Sequence, residues 1–220
     1  MIKNTELAQL IAVKLCHDLS GPIGAINNGT ELLKEGQDSI FTKSLDLVEG
    51  SAKDAVARLL LYRQAYGTAH GEVCIISLEE LTTNYFSSSR TEVIWPKKFS
   101  GSDKPTNIPG DFAQSILLLI LLLGRTLMFG GKIYVNPKHN NKKNSLLITS
   151  EGKSVKIDKD IINILTNKQH HEKITVKNIQ AYLVSELLTG LDMESKIDVT
   201  ETSISITCKD YLSISEEELL

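Results

Sequence analysis

Cysteine is scarce in this chain: Cys16, Cys74 and Cys208 are the only three in 220 residues, and they lie far apart. That excludes a disulfide framework and a Cys-x-x-Cys metal pair, and it fits a reducing cytosol. An excess of charge of one sign is also lacking. With 24 Lys+Arg against 27 Asp+Glu the net charge is −3, and no basic block stands out. A nucleic-acid or anionic-membrane partner is therefore disfavoured. The first residues, MIKNTELAQL, lack the apolar core of a signal peptide. The most apolar run, SILLLILLLG at 115–124, stops at Arg125. It is about half the roughly 20 residues of a membrane span, so it predicts a buried helix. A cytoplasmic, water-soluble protein with a sizeable core is expected.

What is present divides into two patterns. In residues 5–34, Ala8, Ile11, Leu15, Leu19, Pro22, Ile26, Gly29 and Leu33 recur at the spacing of one helix face. After a turn at KEGQDS (34–39), Phe41, Leu45, Val48, Ala52, Ala55, Leu59, Tyr62 and Tyr66 form a heptad series. These segments predict an antiparallel helical hairpin. Two helices cover only part of each other's apolar stripe, so a homodimer forming a four-helix bundle is expected. The alternative is that the hairpin packs on the rest of its own chain. Tyr62 and Tyr66, on the heptad series, are assigned to packing.

A Gly-containing hinge, YGTAHGE (66–72), leads to a different pattern. VCIIS (73–77) predicts a strand and residues 78–88 a helix, with Ser77 and Glu80 as a capping box. TEVIW (91–95) reads as a strand ended by Pro96. Asp111 is expected to cap a long buried helix reaching about Met128. Gly130-Gly131 turns into KIYVN (132–136), and NSLLITS (144–150) completes a hairpin. Helices at 158–166 and 174–189 and the strands SKIDVT and SISITC follow. The fold class is α+β: a hairpin domain at 1–70, then a two-layer α/β sandwich at 71–220.

His17 draws attention within the first helix. At 100° per residue it lies roughly 150° from the middle of the apolar stripe and faces solvent. Around it on that face stand Ser20, Gly21, Gly24 and Asn28, all small. Each glycine costs a helix about 0.5–1 kcal/mol relative to alanine. Close approach of a docking partner would account for that. The competing reading is that Gly21-Pro22 only marks a kink or a helix end.

The stretch HDLSGPIGAINNGTELL (17–33) resembles the phospho-acceptor box of sensor histidine kinases, in which a His and an acid precede a Pro. The hairpin and the α/β half are similar in order and length to that family's dimerisation and ATP-binding domains. The resemblance fails where nucleotide would bind. Leu119 and Leu123 stand on the long helix where the family has asparagines for magnesium and phosphate, and leucine offers no oxygen ligand. TSEGKSV (149–155) replaces the Asp-x-Gly-x-Gly loop, keeping Gly152, with Glu151 the only candidate for the adenine-binding acid. EKITVKNIQAYLVSELL has no glycine for a phosphate-cradling lid. The chain opens on the acceptor helix, with no sensor expected before it.

A dimeric acceptor hairpin with a degenerate ATPase-like domain resembles the ChpT-type histidine phosphotransferases of alphaproteobacterial phosphorelays. The resemblance implies a phosphotransferase that relays phosphoryl groups from the receiver domain of a hybrid histidine kinase to response regulators. An unperturbed imidazole titrates near about 6.5, so an exposed one is mostly neutral and nucleophilic in the cytosol. His17 would attack the receiver's aspartyl phosphate. Asp18 is implied as the acid that orients the imidazole. Lys14, Ser20, Gly21, Gly24 and Asn28 would meet the receiver, Lys14 as a surface cation. No cofactor or metal of its own is expected, because the receiver supplies Mg²⁺. Two alternatives stand: a divergent ATP-dependent histidine kinase, and a receiver-binding scaffold that carries no phosphate. His170-His171 lack metal-ligand spacing, His70 and His139 are isolated, and no nucleophile elbow is present.

Overall fold

Apolar residues spaced three and four apart wind Asn4–Lys34 into α1 and Asp38–Tyr66 into α2, packed as a hairpin. A computed structural model describes residues 2–35, 38–69, 71–97, 106–140, 143–166 and 173–210. Helix α1 passes through Gly21-Pro22 without a break, so no helix end lies there. Gly29 is needed where the helices touch: a Cβ on it would sit 2.6 Å from Val48 Cγ2.

Strand β1 (Glu72–Cys74) pairs antiparallel with β3 (Asn107–Pro109). Between them lie α3 (Ile75–Phe86) and β2 (Thr91–Ile94). The strand expected over 73–77 is thus cut short. Ile75 turns its N–H to the Thr106 carbonyl, and Ile75 and Leu78 bury one face of a helix that has already begun. Cys74, not Ser77, is the N-cap of α3, and no side chain caps it, so the expected capping box is absent. Helix α4 (Gly110–Gly124) likewise starts earlier and ends earlier than its sequence suggested. Pro109 is its N-cap, while Asp111 Oδ1 accepts from the Phe112 N–H inside the first turn. Past Gly124 the chain turns, and Gly130 takes φ 80°, a conformation that glycine adopts without strain.

Strands β4 (Gly131–Asn140) and β5 (Lys143–Gly152) form the expected hairpin, longer than the apolar pattern alone suggested. Helices α5 (Lys159–Thr166) and α6 (Ile179–Gly190) follow, then the hairpin β6 (Met193–Val199) and β7 (Ser203–Asp210). Helix α6 starts five residues later than the reading from 174 because Thr175 and Asn178 are tied in a turn, the Thr175 N–H donating to Asn178 Oδ1 at 2.7 Å. The main sheet runs β2-β4-β5-β7-β6, with β2 and β4 parallel and the other pairs antiparallel.

Alternation along the strands makes two layers. Ile133, Val135, Leu146, Ile148, Ile204 and Ile206 turn to the helices and are fully buried or nearly so. Leu147, Thr149 and Ser205 take the open face, where Thr149 Oγ1 lies 3.0 Å from Ser205 Oγ. The apolar run at 115–124 is the central helix of this core. The same core takes in Leu61, Tyr62 and Ala65 from the end of α2. Gln114 on α4 donates to the carbonyls of Gln64 (3.3 Å) and Gly67 (2.6 Å), closing the end of α2. The hairpin is therefore seated on the sandwich through its second helix.

Candidate phosphotransfer site

The helical phase of α1 buries Lys14, Pro22 and Gly29 and turns His17 outward, its side chain 83% exposed. Ser20, Gly21, Gly24 and Asn28 are exposed on that helix as well. Ser20 Oγ donates back to the Cys16 carbonyl at 2.7 Å, so its hydroxyl is engaged within the helix. A Cβ on Gly21 or Gly24 would meet nothing within 4 Å. Neither glycine has positive φ. Their small size therefore answers to nothing inside the chain, in contrast to Gly29.

Asp18, the residue after His17, turns toward α2. With its proton on Nδ1, His17 donates to Asp18 Oδ1 at 3.3 Å, which leaves Nε2 free and facing solvent. Lys14 Nζ donates to Asp18 Oδ2 at 2.5 Å, and the Tyr62 hydroxyl donates to the same oxygen at 3.2 Å. Burial pushes the Asp18 carboxyl up. The hydrogen bond and charge of Lys14 outweigh that, helped by His17 and Tyr62, and hold it below its ordinary value. Burial draws the Lys14 ammonium below its own ordinary value, against the pull of Asp18.

Lys14 is only 4% exposed. The sequence placed it among the docking residues as a surface cation, but the structure aims it at Asp18. Its charge is spent on the carboxylate, and its position on the buried face leaves almost none of it at the surface. Tyr62, assigned to packing by its heptad position, is buried but carries a hydroxyl used at the site.

Pro22 explains a further contact. Having no N–H, it cannot bond the carbonyl four residues back, which belongs to Asp18. Arg58 Nη1 supplies that donor from α2 at 3.5 Å. Arg58 is itself held by Asp54 Oδ2 at 3.0 Å, and its guanidinium lies 5.4 Å from the centroid of the Tyr85 ring on α3. The Tyr85 hydroxyl is 3.4 Å from that of Tyr62. Arg58 and Tyr85 went unnoticed in the sequence. The legible signal was Pro22, whose missing N–H marks residue 18 as a carbonyl in need of a donor.

In the α/β half, Leu119 and Leu123 are fully buried in the core. Gly152 ends β5 in close packing, where a Cβ would sit 3.0 Å from the Gly130 carbonyl. Glu151 is exposed at the same strand end. Residues 173–190 place α6 against α4 with Ile179, Ala181 and Val184 fully buried. A cleft of about 330 Å³ opens between Arg125, Lys156, Asp158, Ile161, Lys177 and Gln180. His70, His170 and His171 lie outside the described residues, as does the side chain of His139. Among the described residues no group of three or more His, Cys, Asp or Glu side chains could hold a metal ion. None of the described helices is long and apolar enough to cross a membrane.

The exposed His17 sits on a helical hairpin joined to a two-layer α/β sandwich, and sequence comparison assigns this architecture to the histidine phosphotransferases. Residues 77–203 match the histidine phosphotransferase C-terminal domain, and the chain belongs to that family. It is 25% identical over 202 residues to protein phosphotransferase ChpT of Brucella abortus (strain 2308), covering 90% of this chain and 93% of that one. The solved 1.7 Å structure of a bacterial phosphotransferase superposes with a TM-score of 0.81 at 25% identity, covering 94% of this chain and 98% of that chain. The histidine-phosphotransferase resemblance drawn from the sequence is thus borne out, as is the α+β fold class of a helical hairpin followed by an α/β sandwich.

Proposed function

We propose that this phosphotransferase carries phosphoryl groups on His17, taking them from the receiver aspartate of a hybrid histidine kinase and passing them to response-regulator aspartates. The observation that carries this reading is the exposed His17 ring, with Nδ1 engaged by Asp18 and Nε2 free. The Nε2 lone pair attacks the phosphorus of the docked aspartyl phosphate. The N–P bond forms as the P–O bond to the receiver carboxylate breaks, and that carboxylate leaves with the electron pair. His17 keeps its Nδ1 proton, and the cationic phosphohistidine is stabilised by Asp18. Transfer onward reverses these steps. Phosphoryl transfer calls chiefly for positioning and charge neutralisation, and a receiver's acidic pocket with its Mg²⁺ supplies the latter.

In this reading Ser20, Gly21, Gly24 and Asn28 form the face that a receiver approaches. Leu119 and Leu123, buried and apolar, support a chain that works without nucleotide. The hairpin domain (1–70) bears the chemistry and the sandwich (71–220) seats it. The chain acts as a homodimer: Ile23 on α1 (56% exposed) and Phe41, Leu45 and Leu59 on α2 (52%, 47% and 58%) leave apolar surface that a second hairpin covers. Its three unpaired cysteines suit the cytosol. The test is incubation with a phosphorylated receiver domain, following acid-labile label onto this chain. Label that appears in the wild type and not in His17→Ala supports the reading. Absence of label in both, or equal label in both, overturns it.

A further inference from the structure

We infer that Lys14, Tyr62 and Arg58 are positioning residues for phosphoryl transfer: they clamp Asp18 by side chain and main chain so that it holds the His17 ring with Nε2 outward. The inference rests on His17 being the phosphoryl carrier and says how that histidine is held. Asp18 is gripped at two points. Its Oδ2 receives Lys14 Nζ (2.5 Å) and the Tyr62 hydroxyl (3.2 Å). Its carbonyl, freed by Pro22, receives Arg58 Nη1 (3.5 Å). Only Oδ1 is left for the His17 Nδ1–H.

Stability alone is a poor reason for this arrangement. A buried ion pair is commonly no better than apolar side chains of the same size, and often worse. Lys14 sits on the buried face of α1, where a leucine would suit the helix equally well. Proline within a helix is likewise costly. Three unfavourable choices, Lys14, Pro22 and the half-buried Asp18, meet within two turns of one exposed histidine, and the first two both bear on the third.

The clamp also reaches the other half of the molecule. Tyr62 and Arg58 both contact Tyr85 on α3, through the 3.4 Å hydroxyl contact and the 5.4 Å ring contact. The sandwich therefore braces the carboxylate that orients the acceptor.

The experiment compares the full-length wild type with Tyr62→Phe, Lys14→Met and Lys14→Arg. Tyr62→Phe removes one oxygen and leaves the packing, so it reports even if Lys14→Met folds poorly. Nitrogen-15 NMR of labelled histidine reads the His17 tautomer without any phosphoryl donor. Steady-state transfer from a phosphorylated receiver domain through this chain to an excess of a response regulator, which regenerates free His17, gives kcat and KM separately. The wild type should show Nδ1 protonated and Nε2 bare. Tyr62→Phe and Lys14→Met should mix the tautomers and lower kcat by about tenfold or more, within the roughly 100-fold that misplacing a reacting group costs. KM should stay near its wild-type value, and Lys14→Arg should restore much of kcat. A wild type with its proton on Nε2, or Tyr62→Phe with unchanged tautomer and kcat, overturns the inference. Failure of the wild type to accept phosphate with the expected tautomer intact would instead defeat the carrier role and leave the clamp standing.

Discussion

His17 contributes a ring that almost nothing in its own chain touches, apart from the 3.3 Å bond to Asp18. His17→Ala should abolish phosphoryl uptake and change stability by no more than about 0.5 kcal/mol, as for other exposed sites. Thermal melting alongside the labelling assay checks both halves. The two kinds of glycine on α1 give a sharper contrast. Gly24→Leu finds open space and a better helix former, so the melting temperature should hold or rise by the equivalent of several tenths of a kcal/mol. Uptake should fall sharply if, as proposed, the added side chain stands on the face that a receiver approaches. A Gly24→Leu variant with normal uptake would remove the docking face. Gly29→Ala should do the opposite. Its methyl would meet Val48 Cγ2 at 2.6 Å, costing about 1–3 kcal/mol while leaving the His17 face unaltered.

At the scale of elements, the hairpin has two apolar sides. One is filled by the contact between α1 and α2 and by the sandwich. The other, with Phe41, Leu45 and Leu59, is left open by a single chain. Leu45→Glu combined with Leu59→Glu should convert a dimer to a monomer in sedimentation equilibrium, since each symmetric contact would bury unpaired carboxylates. A monomeric wild type would contradict the bundle. The junction of α2 with α3 also sets an alkaline limit. Burial first, then neighbouring charges, raises the phenols of Tyr62 and Tyr66, and burial raises Tyr85. Each folded value lies above the unfolded value of about 10, so the stabilisation is complete below that pH and is lost as pH rises beyond it. Tyrosinate absorbance from these three residues should appear together with loss of helical circular dichroism. Its appearance in a still-folded protein would show that the junction is open to solvent.

For the whole molecule, the question is whether the α/β half binds nucleotide when residues 119 and 123 on its long helix are buried leucines. Millimolar Mg-ATP should not shift the melting temperature. A ligand at 100 times its Kd would add about 2.7 kcal/mol, which is several degrees for a chain of this size at roughly 2–4 °C per kcal/mol. A saturable rise of that size would restore the kinase reading.

Local pattern settled a good deal of this protein in advance. The spacing of Ala8 to Leu33 and the alternation in SISITC are statements about one helix and one strand, and such periods follow from backbone geometry alone. The outward direction of His17 follows from the same phase, as does the buried character of residues 115–124. Element ends were less legible, because Ile75 joins α3 only by virtue of the Thr106 carbonyl and a core that closes around it. The roles of Lys14, Arg58, Tyr62 and Tyr85 were decided by tertiary structure. Asp18 and Tyr62 are 44 residues apart, and Arg58 reaches the Asp18 carbonyl across 40. No periodicity records which polar groups meet across a helix–helix contact. A lysine on a buried face reads as a surface cation until packing removes the water around it, and only then does it need Asp18.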